Sequence, residues 1–570
     1  MAIIVCISTT LWGSTAQVTA RTVLDSQYNQ QQQQWGFDQS SRQLERHEKL
    51  DALRVEWPTQ SHRMAVSTSP AVSIQKISIR GATVMGRKEQ RRLVRAFEGT
   101  DMDMQAMDAL VHRINTWYMS RGYITSLAYI APGQSMASGE LVIDVEEGRI
   151  QSVVSETGAT PVALTLAFPF VGNVLNLRDL EQGLDHVNRL GQNRMVLDLE
   201  PASIGYGTVV RIINQHPAPK PQLNQAMITY LYQTDGRINA FPSQVTVLSD
   251  NFLSINDQWA MTYSQSAMTQ DNQASSLFSS VTVPVGYWLM GYTYSLFVYQ
   301  QLIPQGPYAY ANAYGHTEQN TVSLTRTVFR NQISKTHVEA ALSASNQIQM
   351  LNKTQLGVGS HKKTVGKLGV SHHWYGRVSG SVSVAQHRGL PWWDATPDLA
   401  NRTTDEPVFM FDKTTVMAQL NTHLSVPGFT APIAYRMTSL HQWSPHTLWA
   451  SDRMALGGRY SVRGFDGSLS GDYGYYAQHE WRLPLHRSFV LPSASASLFL
   501  GLDHGTVLSQ TGASPDGASG EGSLASATLG VDYQWRDITL SAMLSKPLQW
   551  STPTPPSNET VYASLRLDWF

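Results

Sequence analysis

The chain has 570 residues and a net charge of −1, with 15 % charged residues and 9 % aromatic residues, among them 15 Trp and 23 Tyr. That length exceeds one ordinary domain, and the balanced charge gives no footprint for a nucleic-acid partner. Few charges, many amphipathic aromatics and no apolar run long enough for a spanning helix fit a membrane β-barrel better than a cytosolic enzyme.

The first residues, MAIIVCISTTLWGSTAQVTA, have an apolar core from Ile3 to Trp12 followed by small residues. Residues 1–20 read as a secretory signal peptide, with Val18-Thr19-Ala20 or Ser14-Thr15-Ala16 at the cleavage site. The basic start of such a peptide is missing, so an upstream start codon is expected. The competing reading is a buried strand. Cys6 is the only cysteine. Its removal with the leader would exclude disulfides, thiol chemistry and cysteine-ligated zinc.

Residues 21–71 are polar, with a glutamine run from Gln30 to Gln34. Within them QSSRQLERHEKLDALR, residues 39–54, predicts a helix whose thin stripe of Leu44, Leu50 and Leu53 suits water or a polar cavity better than a core. Trp57-Pro58 to Pro70 reads as a linker.

Residues 72–148 carry an α+β pattern. SIQKISIRG predicts a strand, RKEQRRLVRAFEG a short basic helix, and DMDMQAMDALVHRINTWYMSRG a longer one with Leu110, Ile114 and Trp117 on one face and Gly122 as its stop. YITSLAYI and ELVIDVEEG predict strands. Residues 149–216 repeat the outline: RIQSVVS as a strand, a helix N-capped by Asn176 with Leu177, Leu180, Leu184 and Val187 on its face, then MVLDLEP and GTVVRIIN as strands.

From 222 to 570 helical periodicity is replaced by alternation. In SASLFLGLDHG, Ala496, Leu498, Leu500 and Leu502 share one parity, while Gly501 and Asp503 share the other with Phe499 as an exception. Gln478, Glu480 and Arg482 share a parity in YYAQHEWRL and are expected to face a lumen. TVYASLRLDW alternates to the end, with Trp569 on the lipid parity and Phe570 after it. Short turns such as TVPVGYW alternate with long polar loops. This fits a barrel of about sixteen antiparallel strands, an even number as bacterial barrels require.

Several motifs, in order, resemble a known family. SRGYITSLAYIAPGQSMASGELVIDVEEGRI, LRDLEQGLDHVNRL followed by LEP, LSDNFLSINDQW at the turn into the third strand, VRGFDGSLSGDYG and GLDHG are similar to the outer-membrane transporters of two-partner secretion, the exporters of haemolysins, filamentous adhesins and contact-inhibition toxins. The resemblance covers nearly the whole mature chain. It implies a mainly β chain with an α+β N-terminal part. A 16-stranded transmembrane barrel follows two periplasmic POTRA domains and an N-terminal plug helix. The helix at 39–54 takes the plug's place, or it is a flexible periplasmic tail.

The resemblance also implies a role for the glycine-rich stretch at about 446–473. In the family this loop folds back into the lumen, and its arginine pairs with an acidic residue of the wall. The matching positions are Val462, Arg463, Gly464 and Phe465 on the loop, and Gly501, Asp503 and Gly505 on the wall. Without the resemblance, Arg463 reads as a solvated loop arginine and Asp503 as a pore charge. Gly467 stands where the family often has an acidic residue, which puts secondary loop contacts in doubt. Trp569 and Phe570 are the expected signal to the barrel assembly machinery.

The implied partners are one large secreted protein, recognised by the POTRA domains and exported without ATP, and outer-membrane lipid. The alternative is an assembly factor that inserts other barrels. A monomer is expected, with no cofactor and no metal. No G-x-S-x-G elbow, H-E-x-x-H pair or phosphate-binding loop appears, and His372 and His373 fall on opposite faces of one strand, so no enzyme is expected.

Overall fold

The computed structural model describes residues 71–569 apart from 192, 203–206, 216–225, 234–240, 270–271, 305–309, 358, 404–405, 428–430, 466–468, 486–493, 511–520 and 552–558. The leader, the helix expected at 39–54, Gly467 and Phe570 lie outside the described residues.

In the first unit, β1 (Val72–Ile74), β2 (Lys76–Arg80), α1 (Arg87–Val94), β3 (Thr100–Met102), α2 (Met104–Ser120), β4 (Leu127–Ile130) and β5 (Glu140–Glu146) follow in order. β2 runs parallel to β5, which pairs antiparallel with β4. The apolar stripe of α2 buries Leu110, Ile114 and Trp117 with Met107 and Tyr118 against Leu141 and Ile143 of the sheet. The strand read in YITSLAYI is confined to Leu127–Ile130 and the basic helix ends at Val94, and two further differences have a clear cause. The first strand is broken at Gln75, because the N–H groups of Gln75 and Lys76 both turn to the Gly139 carbonyl. The longer helix starts at Met104 rather than Asp101, since Asp103 caps it by accepting from the Ala106 N–H at 2.8 Å. The preceding Thr100–Met102 pairs with β1 instead.

The second unit is β6 (Arg149–Ser155), α3 (Val162–Ala167), α4 (Leu177–Asn188), β7 (Met195–Pro201) and β8 (Gly207–Asn214). β6 runs parallel to β8 and β7 antiparallel to it. The Asn176 side chain accepts from the Arg178 N–H and caps α4. Leu180 and Val187 are buried, and Leu184 packs against the same core.

Sixteen strands close the barrel, and the short strands β16, β21 and β22 stand outside the ring; in chain order they are β9 (Ala226–Gln233), β10 (Phe241–Asp250), β11 (Gln258–Thr269), β12 (Asn272–Val285), β13 (Trp288–Pro304), β14 (Tyr310–Arg330), β15 (Ser334–Leu351), the two-residue β16 (Thr354–Gln355), β17 (His361–Trp374), β18 (Val378–Leu390), β19 (Asp412–Leu424), β20 (Ile433–Trp443), the in-loop β21 (Met454–Leu456) and β22 (Leu469–Gly471), then β23 (Tyr473–Pro484), β24 (Ala494–Leu508), β25 (Gly522–Trp535), β26 (Ile538–Trp550) and β27 (Thr560–Trp569). β16 pairs only with β15, and β21 only with β22, so the ring has sixteen strands. β27 closes it on β9, from Ser564 opposite Gln233 to Trp569 opposite Ile228. The leucines Leu498, Leu500 and Leu502 are exposed on the outside, while Phe499, Gly501, Asp503 and Gly505 are buried inside. Trp569 is exposed on the outer, lipid-facing parity.

The second unit is docked on one rim of this barrel. Arg330 and Lys335 both pair with Asp185 of α4, and Arg330 reaches Glu181 at 3.2 Å. Tyr287 donates to Asp179 at 2.5 Å, and the His186 ring nitrogen Nε2 lies 2.7 Å from the Gly286 carbonyl. Burial pushes the His186 imidazole down to about 4, because the charged form would lose its water. The stretch LSDNFLSINDQW forms the tight turn between β10 and β11, with Asn251, Ser254 and Asn256 all left-handed. Buried Asp257 holds that turn by accepting from Leu253 N–H and Trp259 Nε1. Arg189 donates to the Asn256 carbonyl at 2.7 Å. This turn thus serves as a socket for the domain. The connection between β20 and β23 starts from the end of the barrel opposite this docked rim.

Candidate functional site

The described residues of the connection from Ser444 to Asp472 fold inward rather than outward. Its hairpin of β21 and β22 carries Met454, Leu456, Val462, Phe465 and Leu469, which cluster with Tyr476, Val507 and Leu524 of the inner wall. Val462 is fully buried. That apolar contact inside a polar lumen draws the glycine-rich stretch inward. Ser461 ties the turn by accepting from the Gly457 N–H and donating to its carbonyl.

Arg463 sits at the centre, 2 % exposed. Its Nε donates to Asp503 Oδ2 at 2.7 Å and its Nη2 to Oδ1 at 2.6 Å, a two-pronged pair. Its backbone N–H reaches the same carboxylate at 3.1 Å. Nη1 donates to Glu480 Oε1 at 2.7 Å. Glu480 also accepts from Arg482 at 3.0 Å, and Arg482 pairs in turn with Asp532. Phe499, the exception to the alternation, is the floor of this network. The guanidinium carbon of Arg482 lies 4.8 Å from the ring centroid and that of Arg463 6.0 Å. Gln478 donates to the Arg459 carbonyl at 3.3 Å.

Two wall glycines make room. A Cβ on Gly501 would lie 2.6 Å from Arg463 Nη2, and one on Gly505 2.6 Å from a Leu456 methyl carbon. Gly464 has φ +88°, which few other residues adopt. Its N–H donates to the Tyr562 hydroxyl at 2.9 Å, and its carbonyl accepts from Thr560 at 3.2 Å. The structure therefore brings Val462, Arg463, Gly464, Phe465, Gly501, Asp503, Gly505, Gln478, Glu480 and Arg482 into one neighbourhood.

Other contacts were not foreseen. At the base of the loop Asp452 pairs with Lys363 at 2.5 Å, and Lys413 donates to its carbonyl at 3.0 Å. Arg453 pairs with fully buried Asp472 at 3.3 Å, which also accepts from the N–H groups of Leu448 and Gln510. The loop thus reaches from β17 and β19 through β23 and β24 to β27. A second connection from the same end of the barrel, between β18 and β19, folds onto its base: Val408 bridges Leu448, and the rings of Phe409 and Trp449 stack at 4.8 Å. Among the described residues no group of three or more metal-ligating side chains is present.

The family model described as haemolysin secretion/activation protein ShlB/FhaC/HecB matches residues 239–533. The chain belongs to this family. A ShlB-type POTRA domain model matches residues 72–148, and a second POTRA domain model matches 149–201. The outer membrane transporter CdiB of Escherichia coli O6:K15:H31 is 30 % identical over 94 % of this chain and 88 % of its own length. CdiB of Dickeya dadantii is 29 % identical over 85 % of both chains, and the hemolysin transporter protein HpmB of Proteus mirabilis 28 % over 84 % of this chain and 83 % of its own. The solved structure of CdiB from Escherichia coli superposes with a TM-score of 0.82 at 26 % identity, covering 96 % of this chain and 98 % of that one. The protein is a two-partner secretion transporter by family. Its barrel lies in the outer membrane and its POTRA domains in the periplasm. The family is one of transporters rather than enzymes.

Proposed function

We propose that this barrel exports one large secreted partner protein through its lumen. The POTRA domains capture the partner in the periplasm, with their sheets and helix–strand grooves receiving an extended segment. The driving force is the partner's folding outside, without ATP. Its class is an adhesin, a haemolysin or a contact-inhibition toxin. The Arg463–Asp503–Glu480 network is the lock that holds the inward loop across the lumen between export events.

The observation that carries this reading is how the lumen is obstructed. The loop is pinned to the wall by side-chain ion pairs and a small apolar cluster, which can part without unravelling the sheet. An inserter of other barrels would need a seam that opens sideways. Here β27 is paired with β9 from Ser564 to Trp569, which favours export through the lumen. Trp569 and Phe570 serve as the signal read by the barrel assembly machinery, and the functional unit is a monomer. Deletion of the protein tests the reading. It should abolish release of the one partner encoded beside it while other barrel proteins still assemble. A general loss of barrel proteins would instead establish an assembly factor.

A further inference from the structure

The second POTRA domain has an unusual run: no charged residue stands between Glu156 and Arg178. Part of it is core, since Leu164, Ala167, Phe168 and Leu175 are buried. Two valines are not: Val162 is 61 % exposed and Val171 56 %. Both flank contacts with the barrel rim. The Ala163 carbonyl, next to Val162, accepts from Asn256 Nδ2 at 2.7 Å. Phe170, next to Val171, meets Tyr287 edge-on with ring centroids 5.8 Å apart. The Leu166 carbonyl accepts from the Gly286 N–H at 2.9 Å. Helix α3 therefore runs along the rim from the Asn251–Asp257 turn to the Gly286–Tyr287 turn.

The first of these turns exposes Phe252 and Leu253. Phe252 meets Trp259 edge-on at 6.2 Å, and Trp259 shares its parity with exposed Met261 and Tyr263 on the lipid-facing side of β11. An apolar surface thus continues from the lipid belt of the barrel, over the turn, onto the POTRA domain. Glu181 and Asp185 of that domain meet Arg330 and Lys335, the latter on the lumen parity of β15 with Glu339, while Arg189 and Asp179 are tied to the Asn256 carbonyl and the Tyr287 hydroxyl, and Arg149 donates to the Gly172 carbonyl beside Val171. Four exposed large apolar side chains beside a bilayer boundary form a patch, and aromatic and aliphatic residues at that depth gain by leaving water.

We propose that the second POTRA domain touches the membrane itself. Residues 161–171, with Phe252 and Leu253, lie in the headgroup region of the inner leaflet, so that lipid as well as the barrel turns fixes the domain's orientation. This does not depend on what the barrel exports.

The test uses the full chain with Cys6→Ser, reconstituted in phosphatidylethanolamine/phosphatidylglycerol nanodiscs. An environment-sensitive fluorophore is placed on Val162→Cys or Val171→Cys. Met261→Cys on the lipid face and Thr100→Cys on the first POTRA domain serve as references, and heat-shifted electrophoretic mobility verifies a folded barrel in each. Nitroxide phospholipids should quench labels 162 and 171 to within about twofold of label 261. Aqueous iodide should quench them less than label 100. Labels 162 and 171 that match label 100 toward both quenchers would overturn the proposal. So would protection from iodide without lipid quenching, which would mean that protein covers the patch.

Discussion

The Arg463 guanidinium and the Asp503 carboxylate face each other through two hydrogen bonds of 2.7 and 2.6 Å, both groups almost wholly removed from solvent. Two such charges are costly to bury, and neither is tolerable alone. Removing one partner from a buried pair typically costs about 3–5 kcal/mol, more than the pair itself contributes. Arg463→Ala and Asp503→Ala should therefore each lower the barrel's resistance to urea-driven unfolding, while the double variant should lose clearly less than the sum. Additive losses, followed by heat-shifted mobility, would mean the two residues act separately. Arg463→Lys should behave nearly as badly as alanine, because a lysine cannot supply the fork.

Gly501 tests the geometry without touching a charge. An added methyl group would meet Arg463 Nη2 at 2.6 Å, inside any ordinary contact. Gly501→Ala should push the guanidinium off Asp503, cost about 1–3 kcal/mol and impair secretion as Arg463→Ala does. Gly369→Ala is the matched control, since its new methyl group would sit 3.5 Å from Ala385 in ordinary contact. Equal behaviour of the two alanine variants would count against a lock that depends on close approach.

The base of the loop offers a second handle. Asp452 stands against Lys363 and Lys413 of the wall. Asp452→Asn should leave the two lysines to repel each other and loosen the loop on the β17–β19 side. In planar bilayers this should appear as more frequent conductance transitions, and Asp452→Asn combined with Arg463→Ala should exceed either alone. An unchanged conductance record would show that the tip contacts alone hold the loop.

His186 makes the POTRA docking sensitive to acid. Its imidazole, ordinarily near 6.5, is held at about 4 chiefly by burial and then by the nearby Arg189 and Arg330 charges, against the opposing pull of the Gly286 carbonyl and Asp185. The folded value lies below the unfolded one, so the docked state favours the neutral ring. Its contribution is complete above about pH 6.5 and is lost as the pH falls toward 4, by roughly 3 kcal/mol at most. Hydrogen exchange of α4 should accelerate over that window in the wild type, and His186→Gln should flatten the dependence. Acceleration of equal size in His186→Gln would assign the effect to other groups.

Much of the fold was legible because its signals are local. Period-two alternation marked the barrel strands, and the stripe of Leu110, Ile114 and Trp117 marked the first domain's helix. The Arg463–Asp503 pair was legible only through resemblance joined to parity: alternation alone puts Asp503 inside, but nothing local says what it meets. Phe499 looked like a fault in the pattern because its reason, a floor under two guanidinium groups, lies in Arg463 and Arg482. The anchor at Asp452 was illegible because its lysines stand 89 and 39 residues away and read there as ordinary strand charges. The turn in LSDNFLSINDQW was recognised as a turn, yet its role as a socket depends on Arg189 and Ala163 of another domain.

The most direct measurement is the amount of partner protein released by cells carrying Arg463→Ala or Asp503→Ala, normalised to folded barrel in the outer membrane. The lock predicts that each variant keeps a folded, inserted barrel and releases several-fold less partner. Release at the wild-type level by both single variants would contradict it.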